Sequence, residues 1–157
     1  MAGSLIAGSC LTAREASAAI ALITAATEPD YHILAFSGRL VPLDISPNLR
    51  LDAALQKVDG LPFERTDCAL PMIWARQNRV NVSGFVTYTD SETWAGNIHP
   101  AQALRQYRAQ FGPDAKNVVV GMTSNGFTIA DPDDRGMLDV VGFDTSVPAV
   151  IADFVRN

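Results

Sequence analysis

Residues 84 to 122 read GFVTYTDSETWAGNIHPAQALRQYRAQFGPDAKNVVVGM. At each end stands a short apolar run, Gly84 to Thr89 and Asn117 to Met122, rich in the β-branched and aromatic residues that fit a buried pleated surface. Between them His99 to Phe111 has helical punctuation, with Pro100 near its start and Gly112-Pro113 just past its end. Strand, helix and strand in that order predict a parallel pair joined by a crossover, and strands that are apolar throughout predict helices on both faces of the sheet.

The flanking sequence extends this alternation. On the N-terminal side, Ala13 to Thr27 is mostly Ala, Leu and Ile with Arg14, Glu15 and Ser17 on another face, a helix stopped by Glu28-Pro29-Asp30. Tyr31 to Ser37 and Leu40 to Leu43, separated by Gly38 and Arg39, predict a hairpin. Asp52 to Val58 is helical by its apolar spacing, and Cys68 to Arg79 is helical with Pro71 in its first turn. Beyond residue 122, Ser124-Asn125-Gly126 is a tight turn leading into Phe127 to Ala130, Leu138 to Phe143 is a last strand, and Val147 to Val155 a closing helix. The pattern is α/β: a doubly wound, mostly parallel sheet in one domain, with no repeat or linker.

Composition excludes several function classes. In 157 residues, 48% are hydrophobic and 18% charged, so the chain has the means to build a core and is not disordered. The formal net charge is −5 and the cations are scattered, which argues against this segment binding nucleic acid by neutralising phosphates. Cys10 and Cys68 form neither a CxxC nor a Cys/His cluster, fitting a reducing, cytoplasmic setting. The apolar stretch from Leu5 to Ala26 lacks a basic leader and is broken by Arg14 and Glu15, so it reads as an amphipathic helix rather than a signal peptide, and no run is long enough to span a membrane.

Ligands of such sheets collect at the carboxyl ends of the strands. Two polar groups stand there: Thr66-Asp67 before the Cys68 helix, and Thr89-Asp90-Ser91-Glu92-Thr93 after the Gly84 strand. A hydroxyl and a carboxylate from separate loops are hard oxygen ligands suited to Mg²⁺, and Thr66 and Asp90 are equally suited to cap the helices that come next. Asp131-Pro132-Asp133-Asp134-Arg135-Gly136 begins like a calcium loop, but Arg135 falls at a ligand position and Gly142 where a bidentate Glu is needed, so it reads as an acidic turn. His32 in a strand and His99 at a helix start have no paired nucleophile and read as structural. Trp74 and Trp94 read as packing residues. No glycine-rich phosphate loop is present.

The segments Thr66-Asp67-Cys68-Ala69-Leu70-Pro71-Met72-Ile73-Trp74-Ala75, Tyr88 to Gly96 with His99-Pro100, and Gly121 to Asp139 closely resemble the matching parts of Ro ribonucleoproteins. Lesser similarity covers nearly the whole chain. By this resemblance the chain is identified as a von Willebrand A-like domain of the Ro (TROVE-module) RNA-binding protein family. The resemblance implies a Rossmann-like fold joined, in the parent protein, to a ring of helical repeats that binds small noncoding and misfolded RNAs. It also implies a metal-ion-dependent adhesion site, in which a DxSxS motif comes after the first strand, a threonine from a second loop and an aspartate from a third. The threonine maps to Thr66 and the aspartate to Asp90, and the bound group is a divalent cation, Mg²⁺.

Two departures go with it. The first strand and its DxSxS have no counterpart, since Met1-Ala2-Gly3-Ser4 resembles the family's residues directly after that motif, and Glu64 and Arg65 stand where the family often has two glycines. The expectations are an N-terminally incomplete domain, unpaired inner strand edges, and metal binding weakened to one charged ligand. The expected function is a non-catalytic interaction domain of a Ro-type ribonucleoprotein, recruiting a protein partner through an acidic group at the metal. The rivals are a small α/β hydrolase using Asp90 and Glu92 as acid and base, and a structural lid with a vestigial metal site.

Overall fold

The structure is a computed structural model that describes residues 11–37, 39–59, 61, 67–89, 95–123, 126, 128–142 and 144–157. The chain divides into two compact units, Met1–Arg65 and Thr66–Asn157.

The first unit opens with α1, Ala13–Thr27, over the span expected from its composition. Its start is fixed by a capping box: the Thr12 hydroxyl accepts from the Glu15 N–H at 3.2 Å, and the Glu15 carboxylate accepts from the Thr12 N–H at 2.7 Å. These bonds, led by the Thr12 backbone N–H, hold the Glu15 carboxyl below its ordinary range. The hairpin is present as β1, Leu34–Ser37, and β2, Arg39–Pro42, antiparallel with Ala35 opposite Val41 and Phe36 opposite Leu40. β1 starts three residues later than Tyr31, so His32 precedes the strand rather than lying in it. Tyr31 serves the core instead: its hydroxyl donates to the Ile45 carbonyl at 3.1 Å. Helix α2, Leu51–Asp59, packs on α1. Ala25, Ile45 and Ala54 form the buried centre, with Leu22, Ile33 and Leu43 against it.

The second unit carries the crossover. Its strands are β3 (Gly84–Thr89), β4 (Lys116–Gly121) and β5 (Met137–Val141), ordered β3-β4-β5 and parallel throughout. β4 is central and buried along almost its whole length, as its run of three valines requires, while β3 is an end strand laddered to β4 alone among the described residues. Helices α3 (Leu70–Asn78) and α4 (Pro100–Phe111) cover one face through Met72, Ala75, Leu104 and Tyr107, packed with Phe85 and Met137. Helix α5 (Val147–Arg156) covers the other through Val147 and Ile151, packed with Val118 and Val120. The expected parallel sheet clad on both faces is therefore present in this unit.

Tyr107 shows how the layers are fixed. Fully buried, it meets Phe85 edge-on and stacks with Phe111, each at 4.8 Å between ring centres. Its hydroxyl accepts from the Val82 N–H at 2.8 Å and donates to the Val80 carbonyl at 3.0 Å, which secures the approach to β3. Helix α3 is shorter than the expected Cys68 to Arg79 at both ends. At its start residues 68 and 69 form a turn whose Ala69 N–H bonds the Asp67 carboxylate, and Arg79 turns left-handed (φ 55°) at its end, where the Val80 N–H reaches back to the Ala75 carbonyl. Ser124, Asn125 and Phe127 of the expected turn lie outside the described residues, and Thr128 to Ala130 belong to no strand and hang on β5 through Asp139.

Candidate functional site

Parallel strands place their carboxyl ends together, and the backbone continues that register past the last ladder residues. The Met122 N–H donates to the Thr89 carbonyl and the Gly142 N–H to the Gly121 carbonyl, at 2.9 and 2.8 Å. The segments that leave β3, β4 and β5 start at this edge, and Cys68, just before α3, packs on Val119 of β4.

The two residues expected to form the site, Thr66 and Asp90, lie outside the described residues, as do Glu92 and Trp94. Their immediate neighbours are described. Asp67, one residue after Thr66, accepts from the Ala69 N–H at 2.9 Å in a tight turn. Partial burial raises its carboxyl above the ordinary range despite that bond. The same carboxylate lies against Gly96, six residues after Asp90, in the space a side chain would need: a Cβ built on Gly96 would be 2.7 Å from Asp67 Oδ1 and closer still to Oδ2. Gly96 also has φ +137°, a conformation that L side chains rarely adopt, so both its backbone and its surroundings require glycine.

Cys68 is the next link. It is buried against Val119 of β4 and Ile129 of the segment after β4. Burial first, then the charges of Asp67 and Asp139, push its thiol up to about 12, so it is a packing residue and not a nucleophile at neutral pH. Asp139 of β5 fastens the segment after β4. One carboxylate oxygen accepts from the Ile129 N–H at 2.7 Å, the Ala130 N–H at 2.9 Å and the Thr128 hydroxyl. The other oxygen is buried with no partner among the described residues.

The acidic turn is paired with arginines. Asp131 meets Arg105 at 3.2 Å and Asp134 meets Arg108 at 2.5 Å, while their other oxygens accept from the Asp133 and Gly136 N–H groups. Burial by itself would raise the Asp134 carboxyl. The bonds from Arg108 and Gly136, with the charges of Arg108 and Arg105, outweigh it and hold the group below its ordinary range. His99 caps α4, its Nδ1 accepting from the Ala101 N–H at 3.2 Å, and Trp74 packs against the α3–α4 core.

No group of three or more His, Cys, Asp or Glu that could hold a metal ion occurs among the described residues. Asp67, Asp131 and Asp134 are each committed to hydrogen bonds or ion pairs, so the expected donor set remains the Thr66 hydroxyl and the Asp90 carboxylate. That pair fits the hard-oxygen chemistry of Mg²⁺, which is often held by one or two carboxylates with water filling the rest of its shell. Sequence reasoning singled out the Thr66-Asp67 pair without giving Asp67 a role of its own, and it missed Gly96 and Asp139. A carboxylate inside the apolar run LDVVGF was the one local signal for Asp139.

Comparison with known proteins agrees with this architecture. The family profile described as the Ro60 vWA domain matches residues 1–155. The RNA-binding protein RO60 of Deinococcus radiodurans is 48% identical over 147 residues, which is 94% of this chain and 28% of that protein. The RNA-binding protein RO60 of Caenorhabditis elegans is 40% identical over 155 residues, 98% of this chain and 24% of that protein. The crystal structure of the Deinococcus radiodurans RO (RSR) protein is similar with a TM-score of 0.90 and 47% identity, over 98% of this chain and 31% of that one. This chain thus spans between 24% and 31% of the length of these relatives.

Proposed function

This chain belongs to the Ro60 vWA domain family, and from that premise we propose that it is a non-catalytic interaction domain of a Ro-type RNA-binding protein. In the parent protein, small noncoding or misfolded RNA is bound by a helical-repeat ring outside these residues, and this domain engages a protein partner at the carboxyl edge of its sheet. Thr66 and Asp90 supply two ligands of a divalent cation there, Mg²⁺ by preference, and an acidic group of the partner completes the shell. With one charged protein ligand the ion is held weakly until the partner arrives. The setting is cytoplasmic. Among the described residues no helix is long and apolar enough to cross a membrane.

The observation that carries this reading is the family match over residues 1–155, taken with an acidic chain of net charge −5 whose cations are scattered. Two further features favour interaction over catalysis: the thiol of Cys68 is locked in its protonated form, and His99 is occupied in capping α4. The test is a screen of phosphatase and nuclease turnover for the wild type and an Asp90→Asn/Glu92→Gln double variant. The interaction reading expects no turnover in either. Turnover that the double variant loses would replace it with the hydrolase reading.

A further inference from the structure

Successive strand residues face opposite ways, and Tyr88, Val118, Val120, Leu138 and Val140 pack with α5. Thr87, Asn117 and Asp139 therefore stand on the other face of the sheet, where Asn117 lies in register between Phe85 and Met137, both packed with α3 and α4. Thr87 is 2% exposed and Asn117 1%. The Thr87 hydroxyl, Asn117 Oδ1, Asn117 Nδ2 and Asp139 Oδ1 are all buried with no hydrogen-bond partner among the described residues. Folded proteins pair nearly all such atoms, because each one left unpaired keeps the cost of its lost hydration. The register shows what can pair these. Val119 is opposite both Thr87 and Asp139, so Asn117, two residues earlier on β4, faces each of them along a diagonal to a neighbouring strand. With strands about 4.8 Å apart and about 3.3 Å per residue, each diagonal is roughly 8 Å between Cα atoms. No direct bond closes either diagonal, and two bonds of about 2.8 Å through a water span what remains between side chains standing off the sheet.

We infer that this face of the sheet holds an internal water site, with ordered water anchored on the Asn117 amide and shared with the Thr87 hydroxyl and Asp139 Oδ1. The donors and acceptors match: the amide offers two N–H groups and a carbonyl, the hydroxyl one donor and two lone pairs, the carboxylate oxygen lone pairs only, and water supplies both kinds. An anion is repelled by the Asp139 carboxylate, and a cation gives the Asn117 N–H groups nothing to bond. A buried water usually makes about three hydrogen bonds, which this set can provide. The site does not depend on Thr66, Asp90 or a metal.

Two measurements on this chain test it. Water-oxygen relaxation dispersion counts waters held longer than the protein takes to tumble, and it is blind to exchanging hydroxyl protons. Rotating-frame Overhauser spectra show which protein protons lie beside such a water. In the wild type the side-chain amide protons of Asn117 give cross-peaks of dipolar sign to water. Asn117→Leu keeps the side-chain size and removes the anchor, so the dispersion amplitude falls by at least about one water. Thr87→Val keeps the shape, removes the hydroxyl and leaves the Asp139 diagonal, so the Asn117 cross-peak persists. An amplitude equal to wild type in folded Asn117→Leu overturns the site. Loss of the cross-peak in Thr87→Val also overturns it, because the signal then comes from the hydroxyl proton. If Asn117→Leu does not fold, the wild-type spectra decide: Asn117 amide protons without a dipolar cross-peak to water overturn the inference.

Discussion

Replacing Asp139 by alanine removes the acceptor that ties residues 128–130 to the sheet. Two backbone N–H groups, of Ile129 and Ala130, lose bonds of 2.7 and 2.9 Å, and Ile129 is completely buried. A buried donor stripped of its acceptor costs about 1–3 kcal/mol, and bonds to a charged acceptor sit at the upper end of the usual range. The Thr128 hydroxyl is exposed and re-forms its bond with water, so it adds little. Relief of the buried oxygen that has no partner among the described residues works in the opposite direction. The balance is a loss of about 3 kcal/mol for Asp139→Ala, a large part of the ~5–15 kcal/mol by which domains are stable. Asp139→Asn keeps one carbonyl acceptor without the charge and loses about half as much. Urea unfolding followed by circular dichroism measures both. The midpoint should fall in the order wild type, Asn, Ala at an unchanged slope. A loss below about 0.5 kcal/mol for the alanine variant, the range expected of an ordinary surface substitution, would show that Asp139 does not hold this segment to the sheet.

Other perturbations are set by the same geometry. The Asp134 carboxyl is held below its ordinary value of 3.8, so its contribution to stability is complete above that pH and is lost as pH falls through the lower folded value. The gap in stability between wild type and Asp134→Asn, measured by urea titration, should accordingly close as the pH falls below the ordinary value of 3.8, and a gap independent of pH would contradict the Arg108 pairing. With its thiol at about 12 and its side chain buried, Cys68 in a Cys10→Ser background should resist alkylation at about pH 8 until the chain is unfolded in urea, and rapid native labelling would contradict its packing against Val119 and Ile129. With a net charge of −5, this chain alone should bind single-stranded RNA no better than micromolar in a mobility-shift assay, and tight, salt-sensitive binding would move the RNA contacts into this domain.

Periodicity and punctuation made α1 and β3 legible to the residue, since Thr12, Pro29 and the polar residues after Thr89 mark their limits locally. The ends of α3 were not legible, because they depend on a tight turn in which the Asp67 carboxylate accepts from the Ala69 N–H, and on a left-handed arginine that no propensity indicates. The sheet class came from the apolar runs, but the order β3-β4-β5 and the pairing of Val119 with Thr87 and Asp139 are long-range facts. For the site, Thr66 and Asp90 were assigned by resemblance, since their spacing served helix caps equally well. Asp67 with Gly96 and Asp139 with Ile129 join residues distant in sequence, and pattern within a single segment carries no information about such contacts.

We propose that Thr66 and Asp90 together hold a divalent ion for a partner's acidic group. Residue-resolved paramagnetic broadening by Mn²⁺ tests it most directly, because the effect falls off steeply with distance from the ion and reports both loops in one titration. The amides of residues 66–68 and 89–91 should broaden together at the same Mn²⁺ concentration, and both sets should recover in Thr66→Ala and in Asp90→Ala. Broadening confined to the acidic turn at Asp131 to Asp134, or of one loop without the other, would contradict it.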